Sequence, residues 1–177
     1  MFRSEKSAIA LLKADHREVE QLFAAFEDAD DDTPKQAALA SQIGQALTVH
    51  AELEETFLYP RVLAAAKKKD EEMDLVCEAT VEHGTLRGLI SGMNGKSPSD
   101  PMTKARVMVL KEFVEHHVKE EEREFFPKLE GLGLDLDAIG EEMATAKSQL
   151  LVAVGRPASG AIIRVVDVKA EAQQQAA

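Results

Sequence analysis

The stretch HAELEETFLYP at residues 50–60 returns as HVKEEEREFFP at residues 117–127, an offset of 67 residues. The same offset pairs His16 with His83, and no insertion or deletion separates the two copies. Solenoid proteins are built from shorter repeats of about 20 to 50 residues. Two copies in one register therefore predict a duplicated helical hairpin that closes into a single bundle.

Apolar residues at spacings of three and four predict amphipathic helices along most of the chain. The predicted segments are 9–26, from Thr33-Pro34 to about Lys67, 73–90, from Asp100-Pro101 to about 125, and 136–154. The acidic run 28–32 and the glycine-containing stretch 91–100 are predicted to separate helices. Long helices with short connections predict an all-α fold, an up-down antiparallel four-helix bundle with a fifth, C-terminal helix.

The duplication also suggests how the chain is divided. We expect a bundle over residues 1–134, built from repeats 1–67 and 68–134. A further packing helix is expected over residues 135–155, followed by a flexible C-terminal tail over residues 156–177. Within that tail, residues 162–168 are rich in β-branched side chains and could form a short extended segment.

Composition excludes several classes of protein. The chain has 177 residues and no long apolar run, so it is expected to be soluble. Its net charge of -11 argues against nucleic acid or an anionic membrane surface as a partner. Cys77 is the single cysteine, which excludes a disulfide framework and fits a reducing cytoplasm. The oligomeric state is left open by the sequence.

Polar residues interrupt the apolar stripes at matching places in the four helices. The six residues predicted to face the bundle interior are His16, His50, Glu54, His83, His117 and Glu121. One buried histidine alone is most often a core imidazole that a hydrogen bond satisfies. Two inward glutamates without an inward Lys or Arg, however, would leave costly buried charges unless cations compensate them. The set therefore predicts a metal site, and a protein without metal would have to protonate the glutamates, hydrate the cavity or loosen its helices.

Two familiar metal motifs are absent from the sequence. A glutamate three residues before a ligand histidine, as in ferritin-like bundles, does not occur, and neither does His-Glu-x-x-His. The pattern His-x-x-x-Glu-Glu followed by an aromatic-Pro pair, with single upstream histidines, resembles the hemerythrin-like (HHE cation-binding) family over roughly residues 5–130.

The resemblance implies a four-helix bundle that holds a non-haem di-iron centre. It implies two iron ions, joined by an oxo or hydroxo bridge, although these ligand types also suit manganese or zinc. The implied terminal ligands are His16, His50, His83 and His117. The implied carboxylate bridges are Glu54 and Glu121.

One position departs from the oxygen carriers of that family, which have a second histidine four residues after the first on the third helix. Here Arg87 follows His83 at that spacing. Four histidines suggest two per metal and additional open positions. The expected function is binding of dioxygen or a related small ligand; the alternatives are a di-iron enzyme acting on peroxide or nitric oxide, and an iron- or oxygen-sensing module.

Three further features of the sequence lie outside this set of candidate ligands. His116 has no histidine partner in the repeat, so it is expected at the surface or behind a ligand. Tyr59, the single tyrosine, is expected to serve packing. Gly84, Gly88 and Gly92 either weaken the third helix or form a close seam for the fifth helix, and we favour the seam.

Overall fold

The computed structural model describes residues 7–30, 32–66 and 71–154 of the chain. Helices account for nearly all of this part, and no strand occurs in it. The α-helices are α1 (Ala8–Asp28), α2 (Thr33–Leu53), α3 (Tyr59–Ala65), α4 (Glu71–Met93), α5 (Pro101–Glu120), α6 (Phe126–Leu129) and α7 (Leu136–Val154). Two π-helical segments (Glu54–Leu58 and Glu121–Phe125) follow α2 and α5, and a 3₁₀ turn (Glu130–Leu132) follows α6.

The architecture is the predicted all-α bundle with an added helix. Helices α1 and α2 pack together as one hairpin and α4 and α5 as the other, while α7 packs across α1 and α2. Among the described helices, none has the length and apolarity needed to cross a membrane.

Side-chain caps set the starts of the long helices. Ser7 accepts a hydrogen bond from the backbone N–H of Ala10 at 3.2 Å, and Asp100 accepts one from Met102 at 3.1 Å. Helix α2 is capped by Asp32, whose carboxylate accepts the Lys35 N–H at 3.1 Å, so Thr33 is its first residue and Pro34 lies in its first turn.

The π segments were not predicted, since periodicity indicated uninterrupted helices. Each segment starts at an inward glutamate, where the N–H of Tyr59 bonds to the carbonyl of Glu54 and that of Phe126 to Glu121. Pro60 and Pro127 come directly after these donors. A proline ring clashes with the carbonyl four residues earlier in an α-helix, and the wider turn relieves that clash. Such π-bulges are frequent at functional sites.

The core consists of two apolar clusters. One includes Leu12, Leu53 and Phe126, and the other includes Val19, Leu47 and Leu110. Along α1 and α2 the inward histidines stand between residues of the two clusters. A polar layer therefore crosses an otherwise apolar bundle.

Two sequence expectations need correction, and two others lie outside the described residues. The favoured glycine seam is wrong, because α7 packs against α1 and α2, and a Cβ at Gly84 or Gly88 would meet no atom within 4 Å. Helix α4 continues to Met93, past the predicted start of the loop. The predicted end of the second helix at Lys67, and the tail over residues 156–177 with its extended segment, lie outside the described residues.

Candidate metal centre

The bundle brings all six predicted ligand residues into one buried layer. His16 comes from α1, His50 from α2, His83 from α4 and His117 from α5, and the glutamates begin the two π segments. Each of the six residues is at most 5% exposed, and Glu54 and His83 are fully buried. Carboxylates and imidazoles from separate helices therefore face one another in the bundle interior.

The histidines form two pairs that the duplication relates. The ring centroids of His16 and His50 lie 5.0 Å apart, and those of His83 and His117 also lie 5.0 Å apart. The rings of His50 and His83 are farther apart, at 6.5 Å. The four rings are therefore arranged as two close pairs, one from each repeat.

Both glutamates reach across the two histidine pairs. Oε2 of Glu54 lies 3.1 Å from Nε2 of His50 and 3.4 Å from Nε2 of His83. Oε2 of Glu121 lies 3.1 Å from Nε2 of His16 and 3.6 Å from Nε2 of His117. Each carboxylate thus lies between the two histidine pairs.

Each histidine directs Nε2 toward the centre and Nδ1 toward a carboxylate outside it. Nδ1 of His16 donates to Glu122 and Nδ1 of His83 to Glu55, both at 2.9 Å. Nδ1 of His117 donates to Glu82 at 2.6 Å, and Nδ1 of His50 lies 3.7 Å from Asp15. Carboxylates in this position fix the tautomer and orientation of metal-binding imidazoles.

These outer carboxylates obey the same 67-residue register and were not assigned a role from the sequence. Asp15 matches Glu82, and Glu55 matches Glu122. Two of the four carboxylate–histidine contacts cross between the repeats, because Glu122 supports His16 and Glu55 supports His83. The sequence did contain a signal for these outer carboxylates. An acidic residue precedes both His16 and His83, and another follows each inward glutamate.

Cations hold three of the four outer carboxylates in place. Lys147 of α7 bonds to Asp15, Arg17 to Glu122, and Arg87 to Glu55 at 2.7 Å. Arg87 occupies the position four residues after His83, and its side chain points away from the centre toward Glu55. Its guanidinium stabilises the carboxylate that orients His83.

Burial and charge shift the acid–base behaviour of the centre in opposite directions. Burial disfavours the charged imidazole of His83, but hydrogen bonds to Glu54 and Glu55 outweigh it and raise its pKa to about 9. Burial likewise opposes charge on His50 and on His117. The carboxylates facing these two rings nevertheless raise both pKa values. Burial also favours the neutral acid of Glu54, yet His50 and His83 hold the pKa of Glu54 well below its usual range.

Lysine and arginine are therefore not the only protein cations that can face the inward glutamates, and the sequence expectation that considered only these two residue types was incomplete. Protonated His50 and His83 supply positive charge to Glu54, so a protein without metal has a further way to compensate this carboxylate.

The imidazolium–carboxylate contacts nevertheless leave the layer poorly satisfied. Among the described residues, six buried side-chain atoms have no hydrogen-bond partner, although several oppose each other at close range. They are Asp15 Oδ2, His16 Nε2, His50 Nδ1, His50 Nε2, Glu54 Oε1 and Glu121 Oε2. An unsatisfied buried polar atom costs about 1–3 kcal/mol, and five of the six belong to predicted ligand residues. Coordination would satisfy four of those five, all except His50 Nδ1, which faces Asp15, so the donor set fits a metal centre.

Tyr59 lies closer to the chemistry than expected. Its hydroxyl is 3.3 Å from Oε2 of Glu54 and 3.4 Å from Oε1 of Glu121, and its ring stacks on His83. The predicted packing role is confirmed, and the hydroxyl adds polar contacts that were not predicted. The repeat offered a signal, since Phe126 stands at the matching position and only Tyr59 adds a hydroxyl.

His116 points away from the buried layer, as expected for a surface residue. Its side chain is 58% exposed, and Nε2 lies 3.3 Å from Glu120 on the next turn of α5.

Comparisons with known proteins agree with this geometry. Residues 7–129 match the hemerythrin HHE cation binding domain. A curated protein named DNA nickase, from Nostoc sp., is 31% identical over 153 residues, which are 85% of this chain and 42% of that protein. The chain thus spans less than half of that relative's length.

A solved structure shares the fold. It is a hemerythrin HHE cation binding domain-containing protein from Mycobacterium kansasii, with a TM-score of 0.70 and 24% identity. The match covers 82% of this chain and 88% of the other. Since the sequence match spans both histidine pairs and both inward glutamates, this chain belongs to the hemerythrin HHE cation binding domain family.

Proposed function

We propose that the protein holds two iron ions between its two histidine pairs and, through them, binds dioxygen or a related small ligand. The observation that carries this proposal is the reach of Glu54 and Glu121 across both pairs. Iron supplies a redox-active position at which a small oxygen- or nitrogen-containing ligand can bind. Manganese and zinc accept the same ligand types, so the identity of the metal is part of the proposal.

The protein residues would orient this centre and limit what reaches it. The outer carboxylates hold each imidazole with Nε2 inward. Tyr59 presents a hydroxyl beside both inward carboxylates. One narrow cavity reaches His117 and Glu121, with room for about one water molecule. Space of this size suits a diatomic ligand or peroxide.

Arg87 favours a second candidate function. Arg87 cannot supply an imidazole, and its side chain bonds to Glu55. The pair of His83 and His117 therefore has no third imidazole donor at this position. Fewer donors leave more positions for exogenous ligands, which suits an enzyme that acts on peroxide or nitric oxide. A sensing module remains the third candidate.

We also propose a cytoplasmic location and a function without nucleic acid, on the grounds of the single cysteine and the acidic net charge.

Metal content and reactivity test these functions together. We expect about two iron ions per chain after anaerobic loading with ferrous iron, measured by elemental analysis. A visible band that forms and disappears as oxygen is cycled would support the carrier, and gas evolution from peroxide would support the enzyme. Metal-dependent protease resistance without either would support the sensor. A single ion in fully loaded protein would contradict the dinuclear proposal.

Metal binding should depend steeply on pH. With the pKa of His83 raised to about 9, this imidazole is protonated at neutral pH in the metal-free protein. Its ion-pair stabilisation is complete below the unfolded pKa of about 6.5 and is lost as the pH rises through about 9. A metal needs the neutral ring, so binding must release protons.

We therefore expect the affinity for metal to rise between about pH 6 and pH 9. Competition titrations would measure the affinity, and a pH-indicator dye in weak buffer would measure the released protons. An affinity that stays constant over this range would contradict the protonated state of the histidines.

A further inference from the structure

The two halves of the bundle differ in how their outer faces are covered. On the α1–α2 half, α7 buries Ile139 and Met143 in the same cluster as Leu12 and Leu53. On the α4–α5 half, a narrow cavity opens and reaches His117 and Glu121. On the α4–α5 half, this small cavity therefore brings the exposed Glu78 and two residues of the candidate centre to one space.

Acidic side chains line this cavity with increasing burial. Glu78 is exposed, the side chain of Glu120 is 31% exposed, and that of Glu82 is 12% exposed. At the inner end His117 and Glu121 are buried. A series of carboxylates that leads inward is suited to a cation and repels an anion.

The repeat register shows that these charges are specific to one half. Glu78 matches Leu11, Glu120 matches Leu53, and His116 matches Val49. In the α1–α2 half, Leu53 and Val49 are buried in the apolar cluster, and Leu11 packs against it. Duplication alone would place the same kinds of residues on both halves. The acidic mouth of the cavity, formed by Glu78, Glu82 and Glu120, and the apolar face that α7 covers are thus departures from the symmetry.

A group of potential ligands combines two residues that line the cavity, Glu82 and Glu120, with the exposed His116 beside them. One ligand atom from each of Glu82, His116 and Glu120 lies within 4.8 Å of the others. Two carboxylates and an imidazole are donors that ferrous iron, manganese and zinc accept. Only three protein donors would bind an ion weakly, which permits its onward transfer.

A second observation points from this group toward the centre. Oε2 of Glu121 is buried and has no hydrogen-bond partner among the described residues, and Glu121 lines the inner end of the cavity. Glu82 connects the two places, because it belongs to the outer group and also accepts from Nδ1 of His117 at 2.6 Å. An ion at the mouth would therefore be adjacent to a residue that orients a candidate ligand.

We propose that Glu82, His116 and Glu120 form a transient site for a divalent cation, through which metal ions load into the buried centre. This inference rests on the proposed function, because it assumes that the buried layer binds metal. It assigns His116 and the acidic mouth a kinetic role that the buried ligands do not have. At equilibrium, the metal resides in the buried centre.

The chain provides its own reporter for the test. Tyr59 is the single tyrosine and there is no tryptophan, so tyrosine fluorescence reports directly from beside Glu54 and Glu121. Stopped-flow mixing of the metal-free protein with cobalt(II) would give the rate at which ions reach the centre, through quenching of this fluorescence. Elemental analysis would give the final metal content.

Two double variants remove the mouth without altering the buried layer: His116→Ala with Glu120→Gln, and Glu78→Gln with Glu120→Gln. We expect loading at least about tenfold slower, with a weaker dependence on salt, while the final metal content stays at the wild-type value. The matched control is Glu112→Gln with Glu115→Gln, which removes two exposed charges of α5 that do not line the cavity. Circular dichroism would verify that each variant is folded.

The outcomes separate this proposal from the function on which it rests. If the wild-type protein takes up about two ions and the mouth variants load at its rate, the loading site is wrong and the buried centre stands. Equal slowing in the control would also overturn the loading site, since net charge would then explain the effect. A wild-type protein that binds no metal would overturn both proposals.

Discussion

Glu54→Gln combined with Glu121→Gln is expected to abolish metal binding and, with it, all metal-dependent thermal stabilisation. Both carboxylates are buried, and each lies between the two histidine pairs. An amide keeps the size of the side chain but lacks the charge that a bridging ligand contributes. No other described carboxylate has the same access to both pairs of Nε2 atoms.

The size of the effect follows from ligand linkage. A ligand at a hundred times its dissociation constant stabilises the folded state by about 2.7 kcal/mol, which raises the melting temperature of a domain of this size by roughly 5–11 °C. We expect a rise of this order when metal is added to the wild-type protein and none in the double variant, as measured by calorimetry with and without a chelator.

The metal-free forms provide the control for this experiment. If the metal-free double variant is folded, the lost response reports metal binding and not misfolding. A double variant that still gains thermal stability from metal would contradict the assignment of Glu54 and Glu121 as bridges. Equal stability of loaded and metal-free wild-type protein would contradict a metal-binding layer altogether.

The adjacent histidines of α5 should differ sharply when replaced. His117→Ala is expected to weaken metal binding by roughly tenfold or more, whereas His116→Ala should leave the equilibrium metal content near the wild-type value. His117 is buried, with Nε2 3.6 Å from Glu121 and Nδ1 held by Glu82. His116 is largely exposed and contacts Glu120.

Equilibrium dialysis followed by elemental analysis would measure this difference. A glutamate lies four residues after each histidine, so local motif matching cannot choose between them. If His116→Ala were the more damaging substitution, the ligand set derived from the repeat would be wrong. Slower loading of His116→Ala, with unchanged final content, would instead agree with the proposed site at the mouth.

The sequence by itself determined the helices and the inward residues. A helical period of 3.6 residues identifies the face that each side chain occupies, and the 67-residue register identifies which residues occupy equivalent places. Together they placed the four histidines and two glutamates in one layer and chose His117 over His116. These inferences need only the local geometry of a helix and the equivalence of two copies.

Only the tertiary structure decided which side chains meet across helices. The support of His16 by Glu122, and of His83 by Glu55, depends on how the two hairpins face each other, which periodicity along one helix does not contain. The same holds for the hydroxyl of Tyr59, which lies close to one inward glutamate of each repeat. The sequence already differs between the two halves, but only the packing of the helices shows that α7 covers the α1–α2 half and that the cavity lies on the α4–α5 half, because these places depend on contacts between distant segments.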